Sequence, residues 1–290
     1  MSWRTVVISS SAKLDYQMGF VVVRSDTTTK IHIGEIGVLL IESTSVSITA
    51  ALLSELTKKK VKVVFCDEKR NPSSELIPYY GSHDTSTKIK KQMEWENETK
   101  TAVWTRIVAA KIEKQAEHLA YWNMKEADML YQYIGEIQPG DITNREGHAA
   151  KVYFNALMGM EFTRTAENSI NAALNYGYGI ILSLFNREIA INGYITQIGL
   201  FHDNMFNPFN LGSDLMEPFR PIVDYAVKCM NPQKFEREEK VHMLKALQME
   251  IEIAGRKEYV NNAVKIYTRS IFDALNEKDV SLIKFYRNEL

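Results

Sequence analysis

The pattern of apolar residues changes once along the chain, and this change most constrains the fold. Up to about residue 80, short runs rich in Val and Ile, such as 38–41 and 61–65, are separated by Ser, Thr, Asp and Gly, which predicts strands. From about Thr85 onward, apolar residues recur at helical spacing. We therefore predict an α+β protein, with a small N-terminal β-sandwich domain in residues 1–80 and a larger all-α C-terminal domain in residues 81–290.

Local signals divide these two parts further. One helix is expected within the β-rich part, over residues 47–59, and the run 71–80, which contains two prolines, is expected to connect the domains. The predicted helices of the C-terminal part cover 88–122, as one helix or two joined end to end, then 126–137, 144–158, 167–186 and 213–230. Charged helices follow Pro232 through Leu247, and the last helices cover 256–275 and 280–288.

Charge and composition exclude few functions, but they predict where the protein is located. The formal net charge is -1, so a polyanionic partner would have to be held by local basic patches or by metal ions. The sequence shows no secretory signal and no apolar run of membrane-spanning length. Its two cysteines lie far apart, which does not indicate a disulfide framework. These features predict a cytoplasmic protein without a membrane partner.

The segment 201–224 carries the densest group of candidate functional residues. His202 stands in a loop rich in Asn and Asp, and a helix is expected to follow with Ser213 or Asp214 as its N-cap. Glu217, Arg220 and Asp224 would share one helix face. Such a stripe fits either a solvated salt-bridge network or metal and phosphate chemistry.

Two other segments add polar residues at helical positions. Glu146 lies in the first turn of a predicted helix, where an acidic residue either stabilises the helix terminus or serves a site. Asn171, Asn175 and Tyr178 share a face and could orient ligands from behind or cap neighbouring helices.

The basic residues of segment 88–122 have two interpretations as well. Lys111 and Lys114 are mixed with glutamates, which favours a solvated face, with a track for the DNA backbone as the alternative. The histidine of the same segment, His118, is predicted to lie on the surface.

Three segments together resemble a known family: EGHAAKVYF (146–154), NAALNYGYGIIL (171–182) and GLFHDNMFNPFNLGSDLMEPFRPIVD (199–224). Their residues, order and spacing are similar to those of the CRISPR adaptation integrase family, the endonuclease-integrases that insert new spacers. The sequence most resembles the branch found beside single-effector, RNA-guided nuclease systems, type II-A.

The resemblance implies a site and a reaction. The family's catalytic glutamate falls on Glu146, its histidine on His202 and its second acid on Glu217, where many branches carry Asp. These three would bind Mg²⁺ or Mn²⁺, and Asp214 would support them or contact a DNA end. The implied reaction joins the 3′-hydroxyl ends of short foreign DNA to the CRISPR repeat by transesterification, with His202 as metal ligand or general base.

The resemblance also implies partners. They are double-stranded DNA, as prespacer and as leader-repeat, a second copy of the chain bound through the N-terminal domains, and a dimer of the small second adaptation protein. In the type II-A branch, a ring-forming accessory protein and the RNA-guided effector nuclease take part as well.

Two other function classes remain open from the residues themselves. The chain could be a helical scaffold that binds DNA or protein, with its acidic clusters serving as salt-bridge networks. It could also be a metal-dependent phosphodiesterase acting on RNA or small nucleotides. Alanine at Glu146 or Glu217 separates the scaffold from an enzyme, and competition among DNA, RNA and nucleotides separates the two enzymes.

Overall fold

The chain divides into a β-rich unit and a helical unit. The computed structural model describes residues 4–78, 82–245 and 248–287 of the 290-residue chain. Its compact units are Met1–His83 and Asp84–Leu290. The arrangement of a β-rich part followed by a helical part is thus confirmed. The predicted boundary between residues 80 and 81 lies outside the described residues.

Two four-stranded sheets and one helix build the first unit. One sheet has the order β1-β5-β7-β8 and the other β4-β3-β2-β6. The strands are β1 (Arg4–Ile8), β2 (Ala12–Gln17), β3 (Phe20–Arg24), β4 (Thr28–His32), β5 (Ile36–Ile41), β6 (Val46–Ile48), β7 (Lys62–Cys66) and β8 (Pro72–Leu76), and helix α1 covers Ala50–Lys58.

Residues from both sheets and from α1 form one hydrophobic core. Leu14, Val21, Leu39, Leu52 and Val63 are all fully buried members of it. Because β5 pairs in parallel with both neighbours, its continuous apolar run is typical of a strand covered on both faces.

The run 71–80 was wrongly predicted to be only a connection. Its first half forms β8, which pairs antiparallel with β7 at the end of the sheet. The prolines indicated a connection. Pro72, however, is the first residue of an edge strand, where a missing backbone N–H removes no hydrogen bond between strands.

Nine helices of the second unit are found in its described residues. They are α2 (Thr85–Met93), α3 (Asn97–Tyr121), α4 (Glu126–Gly135), α5 (Arg145–Met158), α6 (Ser169–Ile191), α7 (Asn210–Leu215), α8 (Arg220–Met230), α9 (Arg237–Lys245) and α10 (Val260–Glu277). No helix within the described ranges is both long and apolar enough to cross a membrane.

Two predicted helical segments are interrupted in the structure. The segment 88–122, predicted as one helix or as two joined end to end, is two helices, with a break after Met93. The segment 213–230 is α7, a 3-10 turn at Glu217–Phe219, and α8. Because Pro218 lacks a backbone N–H, it cannot continue a regular α-helix through this segment.

A small sheet also lies in the second unit, which the all-α prediction did not include. Strands β9 (Glu250–Ile253), β10 (Arg256–Tyr259) and β11 (Tyr286–Arg287) pair in the order β10-β9-β11. Helix α10 therefore begins at Val260 rather than at Arg256. The predicted helix over 280–288 was wrong, because its described residues form a 3-10 turn at Val280–Leu282 and strand β11. Each strand has four residues or fewer, too few for a period-two pattern to stand out.

Candidate active site

Two capping interactions fix the start of α5 and with it the position of Glu146. Asn144 adopts a left-handed backbone conformation, and its side chain accepts a hydrogen bond from the backbone N–H of Gly147. Asp141 accepts from the backbone N–H groups of Arg145 and Glu146 at 2.8 and 2.9 Å. Carboxylate and amide oxygens at a helix start satisfy N–H groups that have no partner in the helix.

Glu146 and Glu217 converge on a single cation, the ammonium group of Lys111. Lys111 comes from the middle of α3, and its Nζ forms ion pairs with Glu146 Oε1 and, at 2.5 Å, with Glu217 Oε2. Glu217 Oε2 is buried, and the Lys111 ammonium is its ion-pair partner. The structure thus brings two of the three predicted site residues together.

Charge compensation keeps both partners ionised despite burial. Burial alone would raise the pKa of Glu217, but the charges of Lys111 and Arg220 outweigh it and lower that pKa below its ordinary value. Burial would likewise lower the pKa of Lys111, but the two glutamates raise it instead. Arg220 contributes through its Nε, which lies 2.9 Å from Glu217 Oε1.

These side chains line a cavity of about 230 Å³. Arg164 and Arg220 bring positive charge to its wall, and Asp224 adds a buried carboxyl group. Burial raises the pKa of Asp224 to about 6, although hydrogen bonds from Tyr178 and Tyr153 act in the opposite direction. The predicted stripe of Glu217, Arg220 and Asp224 therefore faces a pocket rather than solvent.

The polar face of α6 binds the side chain of Arg164. Neither interpretation of that face from sequence, orienting ligands or capping helices, anticipated this. Asn171 accepts a hydrogen bond from one guanidinium nitrogen and Asn175 from the other, the latter at 2.7 Å. The Tyr178 ring lies under two guanidinium groups, 5.4 Å from that of Arg164 and 4.7 Å from that of Arg220. Fixed in this way, Arg164 presents its charge to the cavity with little freedom to lose on binding.

Asp214 is not the predicted N-cap but the anchor of the loop that carries His202. It lies inside α7 and is fully buried. Its two oxygens accept hydrogen bonds from the backbone N–H groups of Leu200, Phe201 and His202 and from His202 Nδ1, the last at 2.5 Å.

This anchoring sets the state of the imidazole. The hydrogen bond to Asp214 raises the pKa of His202 and fixes the proton on Nδ1, which leaves Nε2 available. The Trp104 and Phe201 rings, stacked at 4.6 Å, contact the imidazole edge-on. The negative charge of Glu217 also raises the pKa of His202, but His202 does not line the cavity.

Within the described residues, no three His, Cys, Asp or Glu side chains lie close enough together to hold one ion. The structure thus joins Glu146 and Glu217 through Lys111 and leaves His202 beside them. That the three residues bind one metal stays a prediction.

Sequence reasoning missed Lys111 and Arg164 and misplaced His118. Lys111 lies four residues after Ile107 on the buried face of α3, so its position in the apolar stripe was an available signal. Arg164 stands between α5 and α6, where no periodicity marks it. His118 is buried rather than on the surface. Its Nδ1 lies 2.6 Å from the Tyr153 hydroxyl, and burial lowers its pKa to about 4.

Comparison with known proteins identifies the family. The family model "CRISPR associated protein Cas1" matches residues 5–263. A "CRISPR-associated endonuclease Cas1" of Neisseria meningitidis serogroup C is 32% identical over 291 residues, 98% of this chain and 96% of the relative.

Solved structures share the fold at low sequence identity. A chain described as "Casposase bound to integration product" superposes with a TM-score of 0.79 at 16% identity, covering 96% of this chain and 93% of that one. A CAS1 protein from Thermotoga maritima gives 0.77 at 17% identity, covering 94% and 97%. Because the family model covers most of its length and the Neisseria meningitidis relative is 32% identical over 98% of it, the chain belongs to the Cas1 family of CRISPR-associated proteins.

Proposed function

We propose that this protein is a metal-dependent DNA integrase and endonuclease that joins the 3′-hydroxyl ends of short foreign DNA to the CRISPR repeat. The observation that carries the proposal is the convergence of Glu146 and Glu217 on one cation in a pocket walled by Arg164 and Arg220. Membership of the Cas1 family and a relative named as an endonuclease support it.

The pocket's donors fit a divalent cation. Two carboxylates that already reach the same ammonium group can reach one metal ion. Carboxylate oxygens suit Mg²⁺ and Mn²⁺, and the imidazole of His202 as third ligand favours Mn²⁺ slightly. When held by these residues, such a cation would polarise the phosphodiester and lower the pKa of the attacking hydroxyl.

The protein's own residues would bind the phosphate and transfer the proton during phosphoryl transfer. Arg164 and Arg220 would pair with the phosphate oxygens, which positions the phosphorus and stabilises its developing charge. Asp214 would hold His202 so that Nε2 either binds the metal or takes the proton of the 3′-hydroxyl.

The reaction is a single displacement at phosphorus. The 3′-oxygen of the incoming DNA bonds to the target phosphorus, the bond to the target strand's own 3′-oxygen breaks, and that oxygen takes up a proton. With water in place of the hydroxyl, the same site would act as an endonuclease.

The proposed assembly includes DNA and several proteins. Double-stranded DNA is the substrate as prespacer and as leader-repeat, residues 1–80 would form a homodimer contact, and a dimer of the small second adaptation protein would bind. Fold neighbours described as a "Cas6-RT-Cas1--Cas2 complex" support this last partner. We further propose the type II-A branch, with its ring-forming accessory protein and effector nuclease, and a cytoplasmic location.

A strand-transfer assay tests the proposal. A labelled duplex with 3′-hydroxyl ends and a supercoiled plasmid carrying leader and repeat are incubated with the protein and the small adaptation partner in Mg²⁺, Mn²⁺ or EDTA. We expect label on the plasmid in metal only, and its loss in Glu146→Gln, His202→Ala and Glu217→Gln. Asp203→Asn, which alters an exposed residue next to His202, serves as the control.

Two outcomes favour the other function classes. If no label joins the plasmid in any metal with the partner present, and the three variants behave like the parent, the scaffold hypothesis is preferred. If RNA or small nucleotides are cleaved while DNA does not compete, the protein is a phosphodiesterase of a different substrate class.

A further inference from the structure

Lys111 is a buried cation at the position where the proposed metal would be held. Its side chain is 7% exposed, and its Nζ pairs with one oxygen of Glu146 and one of Glu217. Burying a charge is unfavourable unless opposite charges compensate it closely. The two carboxylates therefore stabilise Lys111 here, and Lys111 in turn keeps them from repelling each other.

The two glutamates differ in how much they depend on Lys111. Glu217 has a second cation, because Arg220 Nε contacts its other oxygen at 2.9 Å. For Glu146, Lys111 is the basic side chain that pairs with it in the described part of the chain. Loss of the ammonium would leave Glu146 uncompensated and Glu217 compensated on one side.

A metal ion bound to both carboxylates would occupy the space between their facing oxygens that the ammonium holds. Bonds from Mg²⁺ to oxygen are about 2.0–2.1 Å long, shorter than the ion pair of 2.5 Å between Lys111 and Glu217. Two adjacent cations would also repel each other. The four-carbon stem of lysine is flexible, and the cavity of about 230 Å³ offers space for the amine to move.

We propose that Lys111 is a resident counter-ion that a divalent cation displaces when it binds Glu146 and Glu217. The inference rests on the proposed metal-dependent function and adds the residue that tunes its metal affinity. In the metal-free protein, Lys111 neutralises the carboxylates and holds them in place. During metal binding it competes for them, so the protein binds metal more weakly than the two carboxylates alone would.

Mn²⁺ binding to the full-length protein, followed by calorimetry, tests this directly. In Lys111→Met the dissociation constant should fall at least about tenfold, the factor that corresponds to the weakest coupling energies measured for close charge pairs. Lys114→Met is the matched control, because Lys114 is also buried on α3 but pairs with Glu117 and lies over the Tyr286 ring. Its Mn²⁺ affinity should equal that of the parent.

Thermal unfolding gives a second measurement that does not depend on activity. In EDTA, Lys111→Met should melt at a lower temperature than the parent, because its carboxylates lack their counter-ion. Saturating Mn²⁺ should raise its melting temperature more than it raises that of the parent, since tighter binding to the folded state stabilises it more.

The outcomes separate this inference from the proposed function. If the parent binds no Mn²⁺ or Mg²⁺, or binds them equally well after Glu146→Gln, the metal site itself fails. If the parent binds metal through the glutamates but Lys111→Met shows equal or weaker affinity, Lys111 is a structural ion pair and the inference is overturned.

Two further experiments keep the inference testable if Lys111→Met does not fold. Lys111→Gln retains a hydrogen-bond donor without the charge and should show the same gain in affinity. In the parent, saturating Mn²⁺ should increase acylation of the Lys111 amine, followed by peptide mass spectrometry, but not that of Lys114. Unchanged labelling of Lys111 would contradict displacement.

Discussion

Replacing Asp214 by Asn should detach the His202 loop from its anchor and destabilise the helical unit. Each carboxylate oxygen of Asp214 accepts two hydrogen bonds, at distances between 2.5 and 3.2 Å, from three backbone N–H groups and His202 Nδ1. Asparagine keeps one accepting oxygen, while its NH₂ group must face two donors. At least two of the four hydrogen bonds are therefore lost.

The expected loss of stability follows from these two bonds. A hydrogen bond to a charged group contributes about 1.5–3 kcal/mol, so the unfolding free energy should fall by about 3–6 kcal/mol. For a unit of this size, a loss of that order lowers the melting temperature by about 6 °C or more.

The effect should also depend on pH. Because Asp214 raises the pKa of His202, the charged pair stabilises the folded state below the ordinary histidine pKa of 6.5 and loses this contribution as pH rises through the folded value. The difference in stability between Asp214→Asn and the parent should therefore be larger at pH 6 than at pH 8.

Chemical unfolding followed by tryptophan fluorescence measures the effect, since Trp104 stacks on Phe201 in the anchored loop. Asp203→Asn makes the same chemical change at an exposed position of that loop and should leave the midpoint unchanged. Equal midpoints for the two variants would refute the anchoring argument, as would a His202 pKa, measured by NMR, that stays the same after Asp214→Asn.

Three further predictions concern the site. Asp224→Asn should stabilise the protein at pH 8 by up to about 3 kcal/mol, because the buried carboxyl's pKa of about 6 opposes folding once it ionises; denaturation should show this gain vanishing as pH falls to 3.8. Gly199→Ala should lower both melting temperature and strand transfer, because a Cβ there would meet the His202 carbonyl and lie 2.7 Å from Asp214 Oδ2. Arg164→Ala should weaken DNA binding in a fluorescence titration and reduce the salt slope by about 1; an unchanged slope would exclude a phosphate contact.

Helices and strands whose signals lie within a few neighbouring residues could be predicted from the sequence. Helix α5 and the placement of Glu146 in its first turn follow from Asn144 and from apolar spacing that acts within a few residues. The β-rich first part and the helical second part follow from the same kind of periodicity.

What depends on contacts between distant residues was not predictable. The apolar stripe of α3 could have indicated that Lys111 is buried, but not which acid compensates its charge, because Glu146 lies 35 residues away. Asp214 is a residue type that often caps helices, but its oxygens accept hydrogen bonds from backbone N–H groups of a loop 12 to 14 residues earlier.

The stereochemical course at phosphorus tests the central claim, direct phosphoryl transfer in the pocket of Glu146 and Glu217, most directly. Target DNA with a phosphorothioate of one configuration at the repeat junction is joined to a 3′-hydroxyl duplex by the parent protein, and the product's configuration is determined. A single displacement predicts inversion. Retention would reveal a covalent enzyme intermediate and contradict the account, and so would an inverted product formed equally well after Glu217→Gln.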